Sequence, residues 1–358
     1  MASAQSEKGP LKTMKKTLFL HIGYHKTGTK SIQNFFWNNR FAFREKGLLY
    51  PELGLSGPTH AQFALSLPGE RDKFAVEIAS VDCSARGSSY EKYNGPTAHD
   101  LYCALGKVIE QTECTRILLS SECFLEWVSP CDIKCYVKDH CNCDVKIIVY
   151  LRRQDLWIQS VFNQVVKDPC LRYAGNLAEL PQMSWLDYFS TLSGWADQFG
   201  VDNIIVRQYE ESLKLNNGTI SDILDVLELE ERMNYQYPIG KVRNAGLTSW
   251  QFKILHLFNQ KSAGGELFRL VLDLFERQNS KLSIGREVPL YLDYEKAKEL
   301  YNSFLEGNMK IADKFLNGMV PFYPPSREEY GSLEQVELDE VAQFLIFVFS
   351  SGNIRVVK

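Results

Sequence analysis

The sequence predicts a doubly wound α/β fold: a mostly parallel sheet flanked by helices, followed by a helical C-terminal portion. Three observations predict it. Short apolar runs recur at 17–22 (TLFLHI), 116–120 (RILLS), 145–151 (VKIIVYL) and 203–206 (NIIV). Helical patterns separate them, as strands alternating with helices require. From Leu247 onward the strand pattern stops and helical spacing takes over.

Taken in order, residues 1–16 are polar and basic, with no apolar stretch. They read as a flexible leader and not as a secretory signal. The run 17–22 is a buried strand that enters a glycine-bounded turn at Gly23 and Gly28. Beyond the turn, Ile32, Phe35 and Phe36 keep the three-and-four spacing of a buried helix face. Residues 50–57 read as loop and 61–67 as a short helix. Residues 82–96, rich in Ser, Gly and Tyr, read as a long surface loop and a candidate substrate lid. Helices are expected at 101–111, 155–167, 185–199, 250–259, 266–278 and 294–316. The stretch 333–350 is expected to pack as a helix on the body or on a second subunit of a homodimer. Residues 17–245 are therefore one core, and 246–358 a helical extension packed on it.

Composition narrows the function. The chain has 358 residues, 45% of them hydrophobic and 23% charged, as in globular proteins. With 40 basic and 44 acidic side chains the formal charge is −4, which argues against nucleic acid as a partner. No run approaches the ~18 apolar residues of a membrane span, so no membrane partner is expected. Nine cysteines, an odd number without a signal peptide, read as reduced thiols of a cytoplasmic protein. The sequon at Asn217-Gly218-Thr219 reads as a turn.

Two motifs carry chemistry. The first is Gly23-Tyr24-His25-Lys26-Thr27-Gly28-Thr29, between a strand and a helix. Backbone N–H groups of such a loop converge on an anion at the positive end of a helix. Its Gly-x4-Gly spacing is that of P-loop proteins, but Gly28 is followed by Thr29-Lys30-Ser31. The lysine sits inside the loop, at Lys26, so this is a poor nucleotide-triphosphate sequence. The second motif is Arg152-Arg153 at the end of the third expected strand, with Ser160 eight residues after Arg152. An arginine at a strand end with a helix serine can hold a phosphate by charge-assisted hydrogen bonds. The competing reading of the arginines is an ion pair with Asp155.

Together the two motifs resemble those of sulfotransferases that use 3′-phosphoadenosine 5′-phosphosulfate (PAPS), a P-loop-type α/β family. HIGYHKTGTKSIQ and YLRRQDLWIQSVFNQ are similar to the bacterial, capsule-type branch, as is 185–210 (WLDYFSTLSGWADQFGVDNIIVRQYE). The resemblance implies in-line transfer of a sulfuryl group, without metal, to a hydroxyl or amine of a small acceptor. PAPS is the implied cofactor and adenosine 3′,5′-bisphosphate (PAP) its product. Lys26 is then the group that meets charge on the leaving phosphate. Thr27, Gly28 and Thr29 hold the 5′-phosphate, with Lys30 and Ser31 at the first helical turn. Arg152 and Ser160 hold the 3′-phosphate, with Arg153 a weaker candidate. Arg243 is a candidate to close over the nucleotide. His25, in the loop, either touches the sulfuryl group or shapes the loop.

A hydroxyl acceptor needs a base. Glu122, just past 116–120, is the first candidate and His60 the second, while His21 reads as a buried strand residue. A cap for the next helix is the competing reading of Glu122. Two other functions stay open: a P-loop kinase, and a nucleotide-binding protein without catalysis. Cys131, Cys135, His140, Cys141 and Cys143 cluster in sequence, but their C-x3-C and C-x-C spacings match no standard zinc pattern. They read as thiols near the rim, and no metal is expected.

Overall fold

The computed structural model describes residues 15–67, 94–126, 128–231, 235–237, 247, 249–261, 265–282 and 291–330. Five strands form one parallel sheet in the order β2-β3-β1-β4-β5. They are β1 (Thr17–His21), β2 (Leu48–Leu49), β3 (Arg116–Ser120), β4 (Asp144–Leu151) and β5 (Ile204–Gln208). The four expected strands are thus present. The fifth, β2, has two residues and pairs with β3 at the edge, too short a run to signal itself by alternation.

Strand β1 lies at the centre, with Leu18 beside Ile117 of β3 and Val145 of β4. The chain visits one side of β1 with β2 and β3, then crosses to the other with β4 and β5. In parallel sheets the crevice at such a reversal, beyond the carboxyl ends of the strands, is where ligands bind. The apolar runs lack alternation because both faces of the sheet are covered. Leu18, Leu20, Ile117 and Leu119 pack into one core, and Phe19, Leu118 and Ile148 into another on the opposite face.

The helices that cover the sheet are α1 (Thr29–Asn38), α2 (Arg40–Arg44), α3 (Ala61–Leu65), α4 (Ala98–Gln111), α5 (Cys123–Glu126), α6 (Pro130–His140) and α7 (Gln154–Lys167). Beyond them come α8 (Tyr188–Phe199), α9 (Tyr209–Ser212), α10 (Thr219–Val226), α11 (Ser249–Gln260), α12 (Gly265–Leu282), α13 (Tyr294–Ser303) and α14 (Leu305–Phe315). The expected helix over 294–316 is broken at Phe304, where φ −104° and ψ 3° leave the helical region. Phe252 and Leu255 of α11 and Phe268 of α12 join the larger core. No described helix is long and apolar enough to cross a membrane.

Of the expected leader, 1–16, only Lys15 and Lys16 fall among the described residues. Lys16 Nζ donates to the carbonyls of Glu110 and Thr112 at 3.1 and 2.6 Å, so its ammonium caps the C-terminus of α4. The candidate lid (apart from residues 94–96), the stretch 333–350 and Arg243 lie outside the described residues.

Candidate functional site

The loop between β1 and α1 is held in an unusual backbone shape. Gly23 and Gly28 have φ of 39° and 82°, and Lys26, a residue with a Cβ, has φ of 65°. That conformation costs energy for a lysine and persists only where surrounding contacts enforce it. The contacts are visible. Thr27, fully buried, donates its hydroxyl to the Tyr24 carbonyl at 2.6 Å, and Thr29 donates to the same oxygen at 3.3 Å. At Gly28 the N-terminus of α10 comes so close that a Cβ would stand 2.8 Å from Thr219 Oγ1.

The second motif grips the loop directly. Arg152 Nη1 donates to the Lys26 carbonyl at 3.1 Å, and Trp157 Nε1 of α7 donates to the His25 carbonyl at 2.7 Å. Two successive carbonyls are thereby turned toward the segment that joins β4 to α7 and the first turn of α7. The N–H groups of Lys26, Thr27, Gly28, Thr29 and Lys30 donate no backbone hydrogen bond to another described residue. Unmatched N–H groups at a helix start, with a left-handed residue among them, form an anion cradle.

Cations surround this cradle. Burial, and then the neighbouring charges of Lys167, Lys30 and Arg152, pull the Lys26 ammonium from its usual range down to about 7. Lys167 at the end of α7 is also lowered, chiefly by burial; Glu276 opposes the shift and Lys30 adds to it. Ser160 and Lys167, seven residues apart, share one helical face with Trp157. Arg152 is almost fully buried, and its Nε makes no hydrogen bond. The Glu210 carboxylate faces it at 3.6 Å, too far to accept, and burial raises that carboxyl above its usual range. A buried guanidinium edge left unmatched is costly, and a phosphate oxygen would satisfy it. The donor set therefore fits a phosphate-type anion at the cradle and another at Arg152.

Arg153, a weaker candidate for the 3′-phosphate, is engaged elsewhere. Its Nε and Nη2 hold Asp155 in a fork at 2.7 and 2.9 Å, and Nη2 also meets Glu329 at 2.8 Å. The ion-pair reading is correct for this arginine, and Tyr330 closes the same network on Asp155. The two threonine hydroxyls likewise turn inward, so Thr27 and Thr29 can offer a ligand only their backbone. Lys30 and Ser31 are exposed on the first turn of α1, and the Ser31 N–H is taken by the Gly28 carbonyl at 2.9 Å.

The two base candidates sit differently. Glu122 follows β3 and is brought to the loop: His25 Nδ1 lies 3.6 Å from its Oε1, and Gln33 Nε2 donates to Oε2 at 2.9 Å. Burial pushes this carboxyl up, but His25, its own backbone N–H, Gln33 and His21 together hold it below the ordinary range. His60 is fully buried with both ring nitrogens engaged. Nδ1 accepts from the Ser120 N–H at 3.1 Å and Nε2 donates to the Pro51 carbonyl at 2.9 Å. Burial lowers it to about 4, against those two backbone bonds. It is a neutral strut between the 51–60 loop and β3, not a group open to an acceptor. His21 is buried in β1 as expected, with Nδ1 2.8 Å from Ser120 Oγ, and burial lowers it to about 4.

The cysteine cluster does not converge. Cys131 and Cys135 are exposed on α6 and Cys141 is buried. Cys131 and Cys135 meet each other on α6, and among the described residues the three-ligand group that could hold a metal takes His140 alone of the five, with His99 and Cys103 of α4.

Fold and site together define a parallel α/β protein with an anion cradle and a cluster of cations at the end of the central strand. No protein-family model matches the chain. An uncharacterized protein of Archaeoglobus fulgidus is 29% identical over 171 residues, 46% of this chain and 44% of that one. The chain thus spans less than half the length of that curated relative. Among solved structures, a sulfotransferase from Alicyclobacillus acidocaldarius is 18% identical, covering 70% of this chain and 98% of its own, at a TM-score of 0.41. A mouse sulfotransferase complexed with PAP is 11% identical over 85% of this chain and 86% of its own, at 0.39. A retinol dehydratase, in complex with androsterone and inactive cofactor PAP, is 16% identical over 81% and 80%, at 0.34. Likeness at that level says nothing of the individual residues at the site.

Proposed function

We propose that this chain is a PAPS-dependent sulfotransferase acting on a hydroxyl or amine of a small, neutral or cationic acceptor. The observation that carries the reading is Lys26, half-buried beside an anion cradle among other cations and joined to the second motif through its own carbonyl. When bound, PAPS supplies the sulfuryl group and a phosphate leaving group. The backbone of Thr27, Gly28 and Thr29 holds the 5′-phosphate. Arg152 and Ser160 take the 3′-phosphate. Lys26, protonated once an anion is present, meets the charge that develops on the leaving oxygen.

Glu122 is the base. Its lowered pKa keeps it ionised at neutral pH, and the His25 imidazole beside it is the group through which the acceptor proton can pass. The net charge of −4 favours a neutral or cationic acceptor over a polyanion. The described cysteines are free thiols, which suits the cytoplasm.

A kinase is not favoured. It needs a lysine directly after Gly28 and a hydroxyl free for magnesium, whereas Thr29 stands there with its hydroxyl on the Tyr24 carbonyl. The testing experiment is incubation with PAPS and candidate acceptors, followed by mass spectrometry for a sulfuryl mass gain. Transfer that needs Lys26 supports the reading, and phosphoryl transfer from magnesium-ATP overturns it.

A further inference from the structure

We propose that His99, Cys103 and His140 form a zinc site that pins α4 to the end of α6. The site is independent of the phosphate loop, to which neither helix contributes a residue.

His99 and Cys103 are four apart on α4, so they stand one above the other on a single helix face. His140 is the last residue of α6. Cys103 Sγ lies 3.5 Å from His99 Nε2 and 3.4 Å from His140 Nδ1. All three donor atoms lie within 4.8 Å of one another. Zinc bonds of ~2.3 Å to sulfur and ~2.0–2.1 Å to nitrogen, at tetrahedral angles, set S···N edges of about 3.5 Å. Both observed separations match such an edge. The two imidazoles are 5.0 Å apart and nearly perpendicular, at 80°, so they do not stack face to face.

The backbone is built for this approach. A Cβ at Gly106 would stand 2.0 Å from the His140 carbonyl oxygen, so only glycine lets the end of α6 lie against α4. Gly106 is three residues, one turn, from Cys103. Any side chain there would lift His140 away from the thiol. Cys141, next in the chain, is buried with Sγ 4.0 Å from the Tyr102 carbonyl and fixes the exit of α6.

Thiolate and imidazole ligands suit Zn²⁺ among common divalent ions. On binding, a Zn–S bond forms, the Cys103 thiol releases its proton to solvent, and the imidazoles bind neutral. His99 is exposed, which leaves the fourth position to water.

The test is titration of the chelator-stripped full chain with Zn²⁺ by calorimetry and with Co²⁺ by absorption spectroscopy. One equivalent is expected, with tetrahedral ligand-field bands and a thiolate-to-cobalt band. Losing a supporting partner of a ligand already costs ~10–100-fold in affinity. His99→Ala and Cys103→Ser should therefore each weaken binding ~10²-fold or more. His99 is exposed, so His99→Ala tests the site even if Cys103→Ser fails to fold. The double variant Cys131→Ser/Cys135→Ser should bind as wild type. Absence of the cobalt bands, retention of tight binding in His99→Ala, or its loss with Cys131 and Cys135 would overturn the site. Thiol–imidazole hydrogen bonding would then account for the cluster.

Discussion

Arg152 Nη1 donates to the carbonyl oxygen of Lys26 at 3.1 Å, joining two motifs that lie 126 residues apart in sequence. The bond has two consequences. It helps hold Lys26 at φ 65°, and it sets the guanidinium edge beside the cradle with its Nε unmatched. Loop shape and the proposed phosphate recognition would thus be coupled through one arginine.

Arg152→Ala should therefore weaken PAP far more than 5′-AMP, because only PAP offers the 3′-phosphate this arginine would pair. Affinities by calorimetry decide it. Equal loss for both ligands would mean that the arginine acts only by shaping the loop.

Lys26→Met should cut turnover by ~10²-fold or more, the scale of losing one transition-state charge donor. It should also raise the melting temperature at neutral pH. The folded pKa of Lys26 is depressed to about 7 while the unfolded chain keeps the usual value near 10.5. Between those values the unfolded state binds more protons, so wild-type stability rises with pH across the window. Below pH 7 both states are charged and the full penalty of burying the ammonium remains. Melting curves from pH 6 to 10 should show the variant's advantage shrinking as pH rises. A constant gap would place the lysine in solvent.

The place of the loop and of Arg152 in the fold was legible in the sequence because the signals are local: glycines, lysine and hydroxyls between a strand and a helix, and an arginine where another strand ends. Side-chain direction was not. Thr27 and Thr29 have the right chemistry for a ligand, yet satisfy the Tyr24 carbonyl. Arg153 has the right charge, yet belongs to Asp155 and Glu329. His140 was grouped with nearby cysteines, while its partners come from α4, 37 and 41 residues away. Spacing along the chain carries no signal for contacts made by helix packing. His60 is the same case, since its two backbone partners come from separate segments.

His60→Ala should act on stability, not chemistry. It strands the Ser120 N–H and the Pro51 carbonyl in a buried site, each costing about 1–3 kcal/mol. A clearly lower denaturant midpoint with cofactor affinity and turnover per folded molecule near wild type is expected. Collapse of turnover at unchanged stability would return His60 to the chemistry.

Glu122→Gln keeps shape and the contact with Gln33 while removing the base. PAP affinity should survive and turnover should collapse. In wild type the acid limb of the rate profile should lie below the ordinary carboxylate range, since Glu122 is held down by His25, its backbone N–H and Gln33. Normal turnover in Glu122→Gln would point to an amine acceptor that arrives neutral and needs no base.

The most direct measurement of the central claim is the melting temperature of the purified chain with PAP in the absence of magnesium, beside magnesium-ATP. Ligand that binds only the native state raises it, by about 2.7 kcal/mol of stability at a hundredfold excess over Kd. The account predicts a clear upward shift with PAP, smaller with 5′-AMP, and lost in Arg152→Ala. A shift with magnesium-ATP and none with PAP would contradict it.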